Sequence, residues 1–337
     1  MGETSGQTGA STSLERTPRP SIGRAAIRAI AVIGVIAIAI AWPGLNLADT
    51  HSYWAPPLDN LYGVTQVGGA DFYPYSPVLA QVLEPIRHMP WPVFAGFWLL
   101  AMAVCLVALV GPWALLVVFI PPVLIELQAG NIHLLLALAI GLGLRYPATW
   151  SYVLVSKPSL GVGLLWFAVR REWRQLATAL LATAVVTLVS AVLLPQGWAD
   201  WIRVIIANAG TGVSPDYPGV IHVPLLVRLP LAVAIVVWGA LTDRRWTIAV
   251  AATLALPVLW VNGLTILLAI PLLEGWKSPR DAVAGLRRSL RGRGDSRSGR
   301  LDGDELTVRE EPHAPGQQEG GRVQPGHDQQ QRLEAGD

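Results

Sequence analysis

Apolar residues in this chain fall into long runs separated by short polar or proline-containing breaks. Ten runs stand out: Ala25 to Trp42, Trp91 to Val110, Trp113 to Leu127, Asn131 to Leu144, Ala148 to Ser156, Ser159 to Val169, Leu176 to Leu194, Val223 to Leu241, Trp246 to Leu259 and Gly263 to Leu273. A spanning helix needs roughly 20 apolar residues, about 30 Å at ~1.5 Å per residue, so the longest runs are sized to cross a bilayer. Two pairs are too short to cross singly: Ala148 to Ser156 with Ser159 to Val169, and Trp246 to Leu259 with Gly263 to Leu273. A helix of about 11 residues reaches only about 16 Å. Each pair therefore reads as a re-entrant-like helical hairpin, with tips at Lys157-Pro158 and Trp260-Val261-Asn262. Irregular backbone at that depth is tolerated only inside protein or beside a wet cavity, and a cavity is expected at the tips. The fold class so predicted is all-α, a polytopic membrane helix bundle of about ten hydrophobic segments.

Two connections are long, Pro43 to Pro90 and Pro195 to His222, and both are rich in Trp, Tyr, Pro, Asp and His. Their aromatic content argues against disorder, and they read as two outer loops. The domain organisation expected is a polar cytoplasmic tail at 1–24, a multi-span membrane domain at 25–276 and a second cytoplasmic tail at 277–337. From Lys277 to Arg300 that tail holds eight basic and two acidic residues. Such a stretch suits anionic lipid headgroups, and it suits plain solvation equally well. The first run follows Arg16, Arg19 and Arg24 as a signal peptide would, but no small-residue cleavage site follows it. Trp42 and Pro43 close it as an interfacial belt, so it reads as an uncleaved span.

Composition strengthens this picture. The chain is 52% hydrophobic and 14% charged, with a mean hydropathy of +0.45, more apolar surface than one soluble core could hide. Basic residues collect in the amino tail, at Arg145, at Arg170, Arg171 and Arg174, at Arg244 and Arg245, and in the tail from Lys277. The opposite connections hold only Arg87, Lys157, Arg203 and Arg228. By the positive-inside rule both termini are expected in the cytoplasm of a multi-pass protein of the plasma membrane. A net charge of +2 without an exposed basic and aromatic face gives no reason to expect nucleic acid. The single cysteine, Cys105, forms neither an internal disulfide nor a cysteine metal site.

Candidate chemistry lies in the outer loops and at the tips. Asp49 stands a few residues beyond the first span, where a carboxylate suits a general base acting on a hydroxyl, or a helix cap. Asp59, Asp71 and Glu84 lie among Tyr62, Phe72, Tyr73 and Tyr75, a mixture that fits a sugar ring and fits the bilayer interface as well. Asn131 and His133 open an apolar helix, where polar groups tend to face a bundle interior or cavity. Asn262, at the second tip, joins Asp71, Tyr75, Asn131 and His133 as a possible substrate-binding residue. No HxxxH or clustered His/Asp spacing accompanies His133, and no metal is expected. Lys157 is one of two lysines in the chain. An ammonium at the bilayer centre costs about 2.5–3.5 kcal/mol, so either a phosphate compensates it or the side chain snorkels to headgroups. Neither a Walker loop nor a dinucleotide fingerprint occurs in a suitable context, and an activated donor is expected to arrive through the membrane.

Four stretches together resemble one family. Asp49 with Tyr53-Trp54 and Leu61-Tyr62 is similar to its first-loop pattern, and Phe72-Tyr73-Pro74-Tyr75-Ser76-Pro77 to its Tyr-Pro-Pro segment. Gly130-Asn131-Ile132-His133 before Leu134-Leu135-Leu136 resembles a Gly-Gln-x-Asn-x-Leu-Leu element, with Asn and His as departures. Ser156-Lys157-Pro158 followed by Arg170-Arg171-Glu172-Trp173-Arg174 resembles its Lys-Pro hairpin and basic turn. The family is the polyprenol-phosphate-mannose-dependent alpha-1,2-mannosyltransferases, glycosyltransferase family 87, of GT-C type. The resemblance implies an inverting hexosyltransferase that moves mannose from a polyprenyl-phosphate sugar to a glycolipid or glycan acceptor of the cell envelope. Asp49 would be the base, with Asp71 as the alternative, and Lys157 would hold the donor phosphate. No cofactor is implied beyond the lipid-linked sugar co-substrate. A polytopic transporter, a catalytically degenerate homologue and a membrane assembly factor are the competing readings.

Overall fold

The computed structural model describes residues 22–65, 69, 71–208 and 219–276. The two expected tails therefore lie outside the described residues, apart from 22–24. The helices are α1 (Ile22–Ala41), α2 (Ala48–Trp54), α3 (Pro77–Arg87), α4 (Trp91–Val110), α5 (Ala114–Val117), α6 (Pro121–Ala129), α7 (His133–Leu142), α8 (Trp150–Ser156), α9 (Leu165–Val169), α10 (Trp173–Leu193), α11 (Pro195–Asn208), α12 (Leu225–Thr242), α13 (Thr247–Leu254) and α14 (Ile270–Leu273). The described residues form no strand, only an isolated bridge between Val220 and Trp260. The all-α class follows.

Four stretches are long and apolar enough to cross a membrane: Gly23–Ala41, Trp91–Val117, Trp173–Leu193 and Leu225–Thr242. A fifth is added if α6 and α7, bent by 114° at the break between them, count as one. The ten runs thus do not become ten long helices. Trp113 to Leu127 divides where Pro121 and Pro122 start α6, since proline fits the first turn of a helix and not its interior. Each short hairpin contains a 3-10 segment, Pro158–Leu164 in the first and Val261–Ala269 in the second. A 3-10 helix rises ~2.0 Å per residue, so Pro158–Val169 reaches about 21 Å, still short of the hydrocarbon thickness.

The centre is built from α4, α7, α13 and the Val261–Ala269 segment, where Met102, Leu106, Leu134, Leu136, Ile140, Ala249, Ala252, Ile266 and Ala269 are all buried. The apolar face of α10 points the other way: Leu181, Leu188 and Val192 are 66%, 65% and 72% exposed. Together with α12, which exposes Leu226 and Val227, this is a surface for lipid. It makes the chain a membrane protein.

The broken backbone after α13 is satisfied from within. Arg228, 3% exposed on α12, donates from its guanidinium to the carbonyls of Val223 (2.6 Å), Leu254 (2.7 Å), Leu256 (2.8 Å) and Pro257 (3.2 Å). The planar fork of arginine, with five donors in a fixed spread, can reach several carbonyls at once. The second tip is also held by main-chain bonds, Ile221 N–H to Leu259 O at 2.7 Å and Val261 N–H to Gly219 O at 2.8 Å.

Candidate active site

The site is built around a sharp elbow. α6 ends at Gly130 in the left-handed conformation (φ +71°), and the chain turns through Asn131 and Ile132 into α7. Glycine is required by that φ and by crowding, because a Cβ there would overlap Thr50 Oγ1. The short helix α2 docks on the elbow. Leu47 N–H donates to Gln128 O (2.7 Å), while Thr50 Oγ1 (3.1 Å) and Trp98 Nε1 (2.8 Å) both donate to Gly130 O.

This docking brings Asp49 to the first polar residue of the elbow. Asn131 Nδ2 donates to Asp49 Oδ2 at 2.7 Å, and Asn131 Oδ1 accepts from the Tyr75 hydroxyl at 3.3 Å. Tyr53 OH lies 3.4 Å from Tyr75 OH and donates to it, since the Tyr75 proton is committed to Asn131. Burial lifts the Asp49 carboxyl from its ordinary 3.8 to about 6. The Asn131 hydrogen bond pulls it back, the Glu126 charge pushes it further up, and the Lys157 charge pulls it down. A carboxylate so poised is suited to general-base work near neutral pH.

The second polar residue of the elbow serves the other charge. Lys157 Nζ, at the first hairpin tip, lies 2.8 Å from His133 Nε2 and 5.7 Å above the ring centroid of Tyr75. His133 Nδ1 lies 2.9 Å from Glu126 Oε2, and the same oxygen accepts from Asn262 Nδ2 at 2.9 Å. A Cβ built on Gly263 would stand 3.9 Å from His133 Nε2, so the chain just after the second tip also lies against the ring. Glu126, His133, Asn131, Asn262 and Tyr75 are buried, whereas Asp49 and Lys157 each keep exposed surface.

Six of the seven residues proposed from the sequence thus converge: Asp49, Lys157, Tyr75, Asn131, His133 and Asn262. Asp71 does not join them by a hydrogen bond. It pairs instead with His51 (Oδ1 to Nδ1, 2.5 Å), beside Trp54 and Trp91, with its own backbone left-handed at φ +61°. Tyr53, Tyr62, Tyr73 and Tyr75 are buried and pack edge-on in a chain, Tyr53 on Tyr75, Tyr75 on Tyr73 and Tyr73 on Tyr62, so these rings serve the core, with Lys157 over the face of Tyr75. Glu84 is engaged by Arg87 and His88, and Asp59 is exposed. A cavity of about 160 Å³ lies at the basic turns, lined by Leu144, Trp166, Arg170, Glu172, Asp243 and Arg245. Sequence reading missed Glu126. The signal was present, because a lone carboxylate inside a spanning run marks a buried polar partner.

Among the described residues, no three His, Cys, Asp or Glu side chains are grouped to hold a metal. The model of glycosyltransferase family 87 matches residues 72–271, more than half of the 337 residues. No curated protein and no solved structure matches the chain. The match contains Tyr75, Glu126, Asn131, His133, Lys157 and Asn262 and begins after Asp49.

Proposed function

The chain belongs to glycosyltransferase family 87, and from that premise we propose that it moves a mannosyl unit from a polyprenyl-phosphate sugar to a glycolipid or glycan acceptor of the cell envelope. The observation that carries this reading is the elbow, whose Asn131 holds one accessible ionisable group, Asp49, while His133, two residues on, holds the other, Lys157. In the proposed reaction Asp49 takes the proton of an acceptor hydroxyl, and that oxygen attacks the anomeric carbon as the bond to the donor phosphate breaks. The bonding pair leaves with the phosphate. Its growing negative charge faces the Lys157 ammonium, a preorganised electrostatic contribution of the kind that dominates group transfer. Attack opposite the leaving group turns a beta-linked donor into an alpha product. The finer reading includes a GT-C-type bundle of ten membrane segments, counting the hairpins as pairs. It places the site on the outer face of the plasma membrane, with the tails 1–24 and 277–337 in the cytoplasm.

The test is transfer of radiolabelled mannose from polyprenyl-phosphate mannose to membrane glycolipids, comparing the native protein with Asp49→Ala and Lys157→Ala at matched expression. Transfer by the native protein and its fall to a small residual rate in both variants is the expected result. No transfer by the native protein across several acceptor extracts would overturn the activity, and full transfer by either variant would overturn that residue's role.

A further inference from the structure

Glu126 sits in α6 with no exposed surface, and an uncompensated carboxylate in such a place is unfavourable. Its compensation is complete and contains no directly paired lysine or arginine. Oε1 accepts the backbone N–H of His133 (2.6 Å) and of Leu134 (3.4 Å), and Oε2 faces His133 Nδ1 (2.9 Å) and accepts from Asn262 Nδ2 (2.9 Å). The elbow makes this possible. It folds α6 back so that a residue seven positions upstream caps the start of α7, where unpaired N–H groups and the helix dipole favour a negative charge.

The hydrogen-bond pattern then assigns the state of His133. An ionised carboxylate only accepts, so the proton of a neutral imidazole sits on Nδ1 and the lone pair on Nε2. That lone pair is what the Lys157 ammonium donates to at 2.8 Å. With the opposite tautomer, Nε2–H would meet an ammonium donor against donor. We propose that Glu126 is the positioning residue of the site, acting through the His133 tautomer to hold the Lys157 ammonium at the donor phosphate and away from the Asp49 carboxylate. The proposal rests on the reading of Lys157 as the phosphate cation. In it, His133 and Asn262 support the site rather than touch the sugar.

Glu126→Gln tests this at nearly constant shape. The amide oxygen still accepts from the α7 backbone, but the amide nitrogen presents donors to His133 Nδ1 and Asn262. The ring is driven to the Nε2–H form, and Lys157 loses its acceptor. The expected result is a kcat lower on the order of 10- to 100-fold, the size found when a partner that orients a ligating histidine is removed. Donor KM rises, acceptor KM is unchanged, and Glu126→Asp, which keeps the charge, recovers part of the rate. In a Lys157→Ala background the same change adds no further loss to the residual rate, because residues acting as a unit are non-additive. Should Glu126→Gln fail to reach the membrane, His133→Leu, which removes the acceptor itself, takes its place in the same cycle. A kcat within twofold of native, an acceptor KM that rises with the donor KM, or a full multiplicative loss in the Lys157→Ala background would each overturn the proposal. Native-like transfer by Lys157→Ala would instead overturn the underlying reading of Lys157, so the two failures are distinguishable.

Discussion

Gly130→Ala is the perturbation that most directly probes how the site is assembled. Placing an L residue at φ +71° costs about 1–2 kcal/mol relative to glycine. The added methyl would overlap Thr50 Oγ1, stand 3.0 Å from Thr50 Cβ and 3.2 Å from Leu47 Cδ2. α2 must shift to relieve this, and the Thr50 hydrogen bond to Gly130 O is lost with it, a further cost of about 1 kcal/mol. The expected destabilisation is about 2–3 kcal/mol in thermal or denaturant unfolding of the purified protein in detergent micelles. Transfer should fall further than stability, because Asp49 rides on α2 while Asn131 rides on the elbow, and their 2.7 Å hydrogen bond spans the displaced contact. Thr50→Ala removes the overlapping oxygen, so Thr50→Ala/Gly130→Ala should be less destabilised than the sum of the single changes. A Gly130→Ala protein with native unfolding midpoint and native transfer rate would refute the reasoning, since neither the backbone term nor the steric term could then be present.

Two further outcomes follow from groups already placed. Asp49 works as a base only when deprotonated, so kcat/KM for transfer should rise with pH through about 6 and then level off. Asn131→Leu removes the amide that lowers this value and should move the acid limb to higher pH; a limb that stays in place would show that another group controls it. Arg228→Leu strands the carbonyls of Leu254, Leu256 and Pro257, at about 1–3 kcal/mol for each buried group left unpaired, and should lower the unfolding midpoint sharply. Arg228→Lys should recover little of it, because an ammonium is a point donor and the four acceptors are spread over two chain segments; full recovery would show that charge alone suffices.

What could be read in advance divides along a physical line. Lipid imposes its demand residue by residue, so the runs that became α1, α4, α10 and α12 stand out in the linear chain, and so do the two hairpins that fall short of the bilayer. Asp49 is legible as a carboxylate a few residues beyond the first span, Lys157 as a charge between two short apolar runs, and His133 as a polar group at the start of an apolar helix. The partnership between them is not legible, because it depends on a 114° bend that no local preference specifies. Gly130 permits a left-handed turn, but the need for one arises only when Thr50, eighty positions earlier, packs against its carbonyl. Asp71 shows the converse. Its surroundings in sequence make it the alternative to Asp49, with carboxylate and aromatics together, yet it pairs with His51 beside Trp54 and Trp91 and makes no hydrogen bond to the elbow. The same bend that joins Asn131 to Asp49 and His133 to Lys157 also folds Glu126 onto the start of α7. One backbone reversal therefore supplies the base's hydrogen bond, the cation's acceptor and the buried charge that orients it, and a perturbation of that reversal should disable all three together.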